Sequence, residues 1–435
     1  MKISLFQGIL IGIFGAGALV GLFVFATYSG GGAAEDSVGS VLVWGTLPKG
    51  QIDSALTEVT TLDSSMKSVK YVQKSADTLA TDLSAAIATD QAPDLVLASH
   101  EQLYSMARFI EVIPESTLSQ RTFTDSFIKG GSLFAEPNGR GYYGLPFLVD
   151  PLVLYWNNDI LASSGIARPP ATWDALTGLV PKIAELTPTR QITRGLIALG
   201  TYDNVRNARA ILSAIFLQSN VPMINYSATG LARANLGEEA VTGTPPGQAV
   251  LSFYTQFADP SKVSYTWNAS LPDSQKAFQT GDLALYVGYA SEARTLAAAN
   301  PNLSFNVAPL PQPATATIKA TYGLVYAFMI PRGAKNPSGA YVAAATLSSS
   351  AEQTIAARAT GLAPATRNAL AALPSDPFAA VAYSSALYTE GWLSPLASGT
   401  DQVFSTMIGS VVSGRSESAA ALSKAAGALS LLLQQ

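Results

Sequence analysis

Short apolar blocks alternate with amphipathic stretches in the first part of the chain. The apolar runs Val38–Trp44, Val69–Val72 and Leu95–Ala98 are rich in branched side chains, which is typical of buried strands. Between these runs, apolar residues recur every three or four positions, as on one face of a helix. They are Ile52, Leu56, Val59, Leu62 and Met66, and then Leu79, Leu83 and Ile87. This order of strands and helices predicts right-handed crossovers and a parallel sheet.

A nearly continuous apolar run extends from Tyr142 to Asp159, and Thr321–Ile330 is a second long run of the same kind. Their aromatic and branched residues predict extended segments buried on both faces. Asp150 is a single charge in the middle of the first run. A lone carboxylate is costly there unless it finds donors, a cation or a water-filled cleft. Contact with a ligand and a tie to backbone amides are both open interpretations.

The N-terminus carries an uncharged run, Leu5–Ala26, with Lys2 as the nearby charge. A helix of that length, at about 1.5 Å per residue, crosses a hydrocarbon core of roughly 30 Å. The positive-inside rule places its short N-terminal end in the cytoplasm and the rest of the chain outside. We therefore predict a retained single-pass anchor and tether in residues 1–37. A cleaved signal peptide is the alternative, because Val24–Ala26 has the small-residue pattern of a cleavage site.

Composition narrows the function classes. A chain of 435 residues is expected to form two domains. The absence of cysteine excludes disulfides, thiolate metal sites and a cysteine nucleophile, and the single histidine, His100, excludes mechanisms that need two imidazoles. The net charge of −4 is dispersed and forms no basic stripe, so nucleic acid is not an expected partner. We predict no metal or cofactor, and binding rather than hydrolysis.

Candidate ligand-binding residues follow from strand ends and aromatic side chains. Ligands of parallel sheets bind beyond the carboxyl ends of the strands, and sugars are recognised by aromatic faces together with polar groups. The candidates on these grounds are Trp44, Thr46, Ser99, His100, Asp150, Tyr202, Asp203, Asn204, Trp267, Tyr289 and Trp392.

Each candidate has a structural alternative. Core packing explains an aromatic residue about as well as ligand contact does, and His100 is more often a loop histidine. Asp203 and Asn204 are expected first as helix caps. The carboxylate pairs Glu101/Glu111 and Glu238/Glu239 could be proposed as an acid–base couple. No nucleophile or cleft motif brackets these pairs, so we expect solvated surface.

Several motifs in a fixed order resemble one family. They are Ala92–Val96, Gly144–Pro146, Leu154–Asp159, Pro170–Asp174, Ala277–Ala284, Ala308–Pro311 and Gly414–Ser416. This set is similar to the extracellular solute-binding proteins of family 1, the maltose-binding-like capture components of ABC importers. The resemblance runs from about Val38 to the C-terminus. The chain departs from the pattern in two respects. It lacks the lipoprotein cysteine, and the C-terminal aromatic of maltose binders is replaced near Asp401, which argues against maltose itself as the ligand.

The resemblance implies a two-lobe α/β fold of the periplasmic-binding-protein type (type II), with interlobe hinge strands. One lobe would comprise residues 38–149 and 324–366, and the other residues 150–323 and 367–435. Asp150 then matches a place where sugar-binding relatives use a carboxylate, and Gly288 and Tyr289 match a cleft-lining turn. The expected partners are a small solute, most simply a sugar, and the permease subunits of an ABC importer. The protein is expected to be a monomer held at the membrane by its N-terminal helix.

Two rival functions stay open at this point. A carbohydrate-active enzyme on the same fold would need two carboxylates converging in the cleft at roughly 5 to 10 Å. A surface adhesion or scaffold module would keep the fold without small-molecule binding. Turnover of a glycoside would identify the first rival, and failure of any solute to stabilise the protein would favour the second.

Overall fold

The computed structural model describes residues 38–227, 231–240 and 242–434. The predicted membrane anchor, Leu5–Ala26, lies outside the described residues. Among the helices of the described part, none combines the length and the apolar character that crossing a bilayer requires.

The strands are short except for two. They are β1 (Val41–Gly45), β2 (Val69–Gln73), β3 (Leu95–Ser99), β4 (Ile113–Pro114), β5 (Gly141–Tyr142), β6 (Leu145–Asn157), β7 (Glu185–Leu186), β8 (Ile192–Ile197), β9 (Met223–Tyr226), β10 (Ala232–Asn235), β11 (Leu283–Tyr289), β12 (Phe305–Pro309), β13 (Thr321–Met329), β14 (Ala363–Pro364) and β15 (Thr389–Glu390).

The helices of the first two thirds of the chain are mostly short. They are α1 (Lys49–Leu62), α2 (Leu79–Ala88), α3 (His100–Met106), α4 (Gln120–Ser126), α5 (Asn158–Ser163), α6 (Trp173–Thr177), α7 (Val180–Ile183), α8 (Ala208–Gln218), α9 (Pro246–Thr255), α10 (Ser274–Thr280) and α11 (Glu292–Ala299). Single 3₁₀ turns lie at Ser64–Ser68, Ala107–Phe109, Lys129–Phe134 and Gln256–Ala258.

The C-terminal third is mainly helical, and alanine favours helices there. Its helices are α12 (Pro337–Leu347), α13 (Ser350–Thr360), α14 (Arg367–Leu370), α15 (Pro377–Ala386), α16 (Ala397–Val412) and α17 (Ser418–Leu432).

One mixed sheet organises the described chain, with the strand order β2-β1-β3-β13-β6-β11-β8-β7. Strand β1 pairs in parallel with β2 and β3, as the alternating pattern predicts. Strand β13 pairs antiparallel with both β3 and β6, and β11 pairs antiparallel with β6 and parallel with β8. The two long apolar runs of the sequence therefore become adjacent central strands.

Buried apolar side chains form two cores, and both long strands pass through both of them. The first core surrounds β1 and β3, and the second core surrounds β8 and β11. In β6, Phe147–Val149 belong to the first core and Leu152–Tyr155 to the second. In β13 the same change falls between Tyr322 and Val325. The change of core at Asp150 agrees with the predicted lobe boundary, which stays a prediction.

The strands approach closely at this change of core. Gly323 pairs with Pro151, and Leu324 pairs with Asp150. A Cβ at Gly323 would lie 2.8 Å from the Asp150 carbonyl oxygen and 2.8 Å from Pro151 Cα. Glycine is therefore required for the observed spacing of the two strands, because real Cβ contacts are not that short.

The helix that precedes β11 is bounded by a capping residue at each end. Asp273 caps α10, and its side chain accepts hydrogen bonds from the amides of Gln275 and Lys276. Gly281 ends the helix with a φ of 84°, in the left-handed region that favours glycine. Thr172 likewise caps α6 by accepting from the Ala175 amide.

Two local predictions are wrong. Gly288 and Tyr289 do not form a turn, because β11 continues through them and pairs them with Val153 and Leu152 of the long β6. Asp203 and Asn204 do not cap the helix that follows them. That helix, α8, begins after Asn207, which has a φ of 62° and a non-capping side chain.

Asp94 is a buried carboxylate that joins β1 to the segment before α12. Its Oδ2 accepts from the Leu42 amide at 2.9 Å. Its Oδ1 accepts from the amides of Lys335 at 3.1 Å and Asn336 at 2.9 Å. Hydrogen bonds to a charged acceptor are stronger than neutral ones, and an orphaned buried amide is costly.

We therefore expect Asp94→Ala to lower the free energy of unfolding by about 3 kcal/mol, because three amides lose a charged acceptor in partly buried hydrogen bonds. Urea denaturation followed by circular dichroism measures this change. Asp90→Ala is the matched control: the Asp90 side chain is 88 % exposed and lies 3.7 Å from Lys335 Nζ. A loss no larger in Asp94→Ala than in the control would contradict this role of Asp94.

Candidate functional site

The carboxyl end of β3 continues directly into α3, whose first residue is the fully buried His100. The Val325 amide donates to His100 Nδ1 at 3.3 Å, so the neutral ring carries its proton on Nε2. Nε2 lies 3.3 Å from Tyr322 Oη. Burial lowers the pKa of His100 to about 4, and the imidazole is therefore neutral at neutral pH.

Glu101 extends this chain of contacts to α8. Tyr322 Oη donates to Glu101 Oε1. Arg209 forms a two-pronged ion pair with the same carboxylate, with Nη1–Oε1 at 2.7 Å and Nη2–Oε2 at 3.1 Å. A planar guanidinium matches a carboxylate in this geometry, which makes it the strongest form of such pair.

Arg209 also contacts α16. Its Nε donates to Asp401 Oδ1 at 2.9 Å, and Tyr202 Oη donates to the same oxygen at 2.6 Å. His100, Tyr322, Glu101, Arg209, Asp401 and Tyr202 therefore form one continuous polar cluster, which we call the arginine cluster. Its two carboxylates and one guanidinium sum to one negative charge.

Electrostatics keep the ion pair charged despite its burial. Burial would raise the pKa of Glu101, but Arg209, His100 and the Tyr322 hydroxyl together hold it below its ordinary value. Burial would lower the pKa of Arg209, and the neighbouring Glu101 raises it instead. Burial, together with Asp401, raises the pKa of Tyr202 well above its ordinary range. The tyrosines of the cluster are therefore hydrogen-bond donors at neutral pH.

Two further tyrosines face the arginine cluster from the central strands. Tyr289, at the end of β11, and Tyr326, on β13, remain partly exposed to solvent. Burial nevertheless raises the pKa of both, with Glu101 as a further cause in each case.

Asp150 lies behind these tyrosines and is bound by Ser291. Its Oδ1 accepts from the Ser291 amide at 3.0 Å, and its Oδ2 accepts from Ser291 Oγ at 2.6 Å. Burial raises the pKa of Asp150 from 3.8 to about 7, although the two hydrogen bonds from Ser291 act in the opposite direction. Ser291 lies directly before α11, so Asp150 joins the strand crossing to the start of this helix.

The predicted residues at the ends of β1 and β3 form a second group. Trp44 is half-buried inside β1, one residue before its end, and Lys74 Nζ lies 3.9 Å from the centre of its ring. Thr46 follows the strand and is half-buried, and its amide donates to the Leu97 carbonyl at 3.1 Å. Ser99 is buried, and its hydroxyl donates to Gln102 Oε1 at 2.7 Å.

Other predicted residues have contacts of their own away from the arginine cluster. Trp267 is 1 % exposed and lies in the second core. Trp392 also lies there, and its indole nitrogen donates to Ser213 Oγ at 2.9 Å. Asn204 Nδ2 donates to the carbonyls of Asn268 and Leu271, and exposed Asp203 accepts from Ser405 Oγ at 2.8 Å. Gly288 is buried in β11. Their role as ligand contacts stays a prediction.

Sequence reasoning missed the centre of the cluster. Glu101 is not the solvated surface residue that we expected, since its side chain is 10 % exposed. Its position directly after His100, at the start of a helix that follows a buried strand, was the available signal. Arg209 lies between the buried residues Ala208 and Ala210 of an apolar helix, where a cation needs a partner. No local sequence pattern of this kind indicated that Tyr322, Tyr326 or Asp401 belongs to the site.

A wide groove borders the other side of the Asp150–Ser291 contact. Its empty volume is about 1670 Å³, open solvent included, and residues of α11, α13, α15 and β12 line it. Phe305 and Phe378 give it apolar walls, and Arg294 and Arg358 lie at its edge. Across the described residues, no group of three or more His, Asp or Glu side chains is arranged to hold a metal ion.

Comparison with known proteins gives a family match and a curated match. The family model described as bacterial extracellular solute-binding protein matches residues 67–354. A curated binding protein of Brucella abortus is 24 % identical over 208 residues, which are 46 % of this chain and 44 % of that protein. A binding protein of Brucella suis matches to the same extent. The chain thus spans less than half the length of these curated relatives.

Solved structures share the fold across nearly the whole chain. The cyclic alpha-maltosyl-1,6-maltose binding protein from Arthrobacter globiformis has a TM-score of 0.74 at 17 % identity, covering 91 % of this chain and 99 % of that one. A cyclo/maltodextrin-binding protein complexed with maltotetraose has a TM-score of 0.72 at 15 % identity, covering 93 % and 99 %. The GacH receptor of Streptomyces glaucescens, solved unliganded and with acarbose, has a TM-score of 0.65 at 15 % identity, covering 91 % and 98 %. At these identities the likeness shows the fold alone, and it confirms the predicted α/β fold of the periplasmic-binding-protein type.

Asp150 makes stability depend on pH. Its folded-state pKa lies above the ordinary value, so between pH 4 and pH 7 the unfolded chain releases this proton while the folded chain retains it. The wild type should therefore lose stability as pH rises through this window, relative to Asp150→Asn, by up to on the order of 1.4 kcal/mol per pH unit.

Urea denaturation of both proteins at pH 4, 5, 6 and 7 measures the difference. Asp159→Asn, at the end of the same strand run, is the control that should follow the wild type. Parallel stability profiles of the wild type and Asp150→Asn would contradict the raised pKa.

Proposed function

Because the chain belongs to the family of bacterial extracellular solute-binding proteins, we propose that it captures a sugar or oligosaccharide outside the cytoplasm and delivers it to the permease of an ABC importer. The single observation that carries this proposal is the family match over residues 67–354, which extends through strands of both cores. The family is one of binding proteins, in agreement with the prediction that the chain performs no chemical step.

The solute class is inferred from side-chain chemistry. Sugars need flat apolar surfaces for their ring faces and polar groups for their hydroxyls. Tyr289 and Tyr326 supply partly exposed aromatic faces, and their hydroxyls and that of the half-buried Thr46 supply polar groups. Maltotetraose and acarbose, with which two of the solved neighbours form complexes, belong to this class.

We propose that the solute binds between the lobes, with residues 38–149 and 324–366 in one and residues 150–323 and 367–435 in the other. The contacts we assign first are the partly exposed aromatics Trp44, Tyr202 and Tyr289, with Thr46 at the rim. His100, Ser99 and Asp150 would then act mainly by holding the cleft walls. Trp267 and Trp392 would contact solute only if a lobe movement exposed them.

We also propose the retained N-terminal helix as the attachment to the membrane, in place of a lipid. Family membership implies an extracytoplasmic body, and Leu5–Ala26 is long enough to cross a bilayer at about 1.5 Å per residue. Mass spectrometry of the membrane fraction tests this proposal. Peptides from residues 1–26 are expected there, and chains that all begin at Thr27 would refute it.

A thermal-shift screen tests the proposed function directly. A solute that binds only the native state stabilises it by RT ln(1 + [L]/Kd), so a sugar at about 100 Kd should add roughly 2.7 kcal/mol and raise the melting temperature by several degrees. The screen should contain mono- and oligosaccharides, with peptides and polyamines as contrasting classes. Stabilisation by a peptide or polyamine alone would overturn the sugar assignment, and release of a cleaved glycoside would identify the enzymatic rival.

Substitution of the assigned aromatics tests the site. Trp44→Ala and Tyr289→Ala should each weaken the affinity for a stabilising sugar at least about tenfold, since truncation of a central aromatic contact costs on the order of 2 kcal/mol. Isothermal titration calorimetry measures the affinity. Tyr341→Ala, at a partly exposed tyrosine on α12, is the matched control and should bind normally. The assigned site is wrong if Trp44→Ala and Asp150→Asn both bind with wild-type affinity.

A further inference from the structure

Helix α3 belongs to the first core but contacts the second. Its buried residues Leu103 and Met106 pack in the first core. Two side chains on its other faces reach elements of the second core, namely Glu101 at its first turn and Tyr104 at its middle. These contacts bring together parts of the chain that are far apart in sequence.

The Glu101 contact is an ion pair with Arg209, which projects from a helix of the second core. Both side chains are largely buried, with exposed fractions of 10 % and 17 %. Asp401 Oδ1 lies 2.9 Å from Arg209 Nε and holds the guanidinium from its other side. Tyr322, a second-core residue, donates to Glu101. The carboxylate of a first-core helix is therefore enclosed by groups of the second core.

The Tyr104 contact reaches the end of the last helix. Tyr104 Oη donates to the Leu433 carbonyl at 2.5 Å, and the Tyr104 ring packs against the second core. Leu433 follows α17, where carbonyls lack helical partners. Two contacts of different chemistry thus join the same helix to the opposite core.

We infer that these two contacts form a clasp, the α3 clasp, which holds the two cores together in the absence of solute and thereby sets the affinity for solute. The inference rests on the proposed function in taking the two cores as lobes that move relative to each other. Glu101 and Arg209 are positioning residues in it, because they act on the closed state rather than on the solute.

The free energy that the clasp contributes to closure is expected to be small, so that the clasp adjusts the ratio of open to closed molecules and does not lock the lobes together. Separating the lobes costs the ion pair but returns both charges to water, and these two terms are of similar size for a buried pair. Neutralising only Glu101 or only Arg209 favours the open state strongly, because the remaining charge would stay enclosed without its counterion in the closed state. A solute that binds only the closed state gains affinity in proportion to the closed fraction.

Distance measurements between spin labels on the two cores test the inference without solute. The chain has no native cysteine, so cysteines introduced at Lys70, exposed on β2, and at Lys276, exposed on α10, can be labelled specifically in the full-length protein. Pulsed electron–electron double resonance then gives the distribution of distances between the two labels, in which closed molecules contribute short distances and open molecules long ones.

We expect a single short distance for the wild type. Glu101→Gln and Arg209→Gln should each raise the ratio of open to closed molecules roughly tenfold, and Tyr104→Phe should raise it roughly threefold. The double variant Glu101→Gln/Arg209→Gln should open less than the two single effects combined, because no unpaired charge remains. Glu111→Gln, whose carboxylate is exposed and lies 3.8 Å from Arg332, is the matched control and should resemble the wild type.

A long distance in the unliganded wild type, or a Glu101→Gln distribution equal to that of Glu111→Gln, would overturn the clasp. Melting curves of every variant separate lobe opening from loss of fold. These measurements need no solute. The clasp can therefore be refuted while the proposed sugar binding is supported, and sugar binding can be refuted while the clasp is supported. Where a sugar binds, Glu101→Gln should weaken its affinity by the same factor by which the closed fraction falls, whereas a larger loss would identify a direct contact and contradict the positioning role.

Discussion

The antiparallel pairing of β6 with β13 is the interaction on which the rest of the structure depends. Both strands are apolar on both faces, so their backbone groups must be satisfied by neighbouring strands. Strand β3 accordingly pairs with β13 on one side, and β11 pairs with β6 on the other side. The first core and the second core then assemble against the two halves of the same strand pair. Within the arginine cluster, Tyr322 belongs to β13, and Glu101 lies on the helix that directly follows β3, the strand paired with β13.

Much of this architecture could be read from the sequence because local pattern and burial agree. The parallel β1, β2 and β3, the caps Asp273 and Thr172, and the two long strands follow from spacing and residue type alone. The failures are at places where tertiary pairing overrides local preference. Gly288 and Tyr289 look like a turn in isolation, but β6 is long enough to continue pairing with them. Asn204 looks like a cap, but its amide is used by the carbonyls of Asn268 and Leu271.

The candidate site was predicted only in part, for a related physical reason. Strand-end reasoning identified His100, Tyr202, Asp150 and Tyr289, which lie in or beside the arginine cluster. It could not identify Glu101, because its partner Arg209 is more than a hundred positions away, and local sequence does not reveal such a pairing. For the aromatic candidates Trp267 and Trp392 the difficulty is the reverse. Sequence reasoning selects them as ligand contacts, but the same residue types also fill apolar cores, and both lie in the second core.

Gly323 gives the strand crossing a property that extends beyond stability. The Thr389 methyl group also lies 2.8 Å from the position a Cβ would take, so the space at this point is closed on three sides. Even a methyl group there would separate β6 from β13 at the level of Asp150, next to Tyr322, whose hydroxyl donates to Glu101. The size of residue 323 therefore limits how closely the two long strands approach at the change of core, and with that spacing the position of the tyrosine that reaches the ion pair.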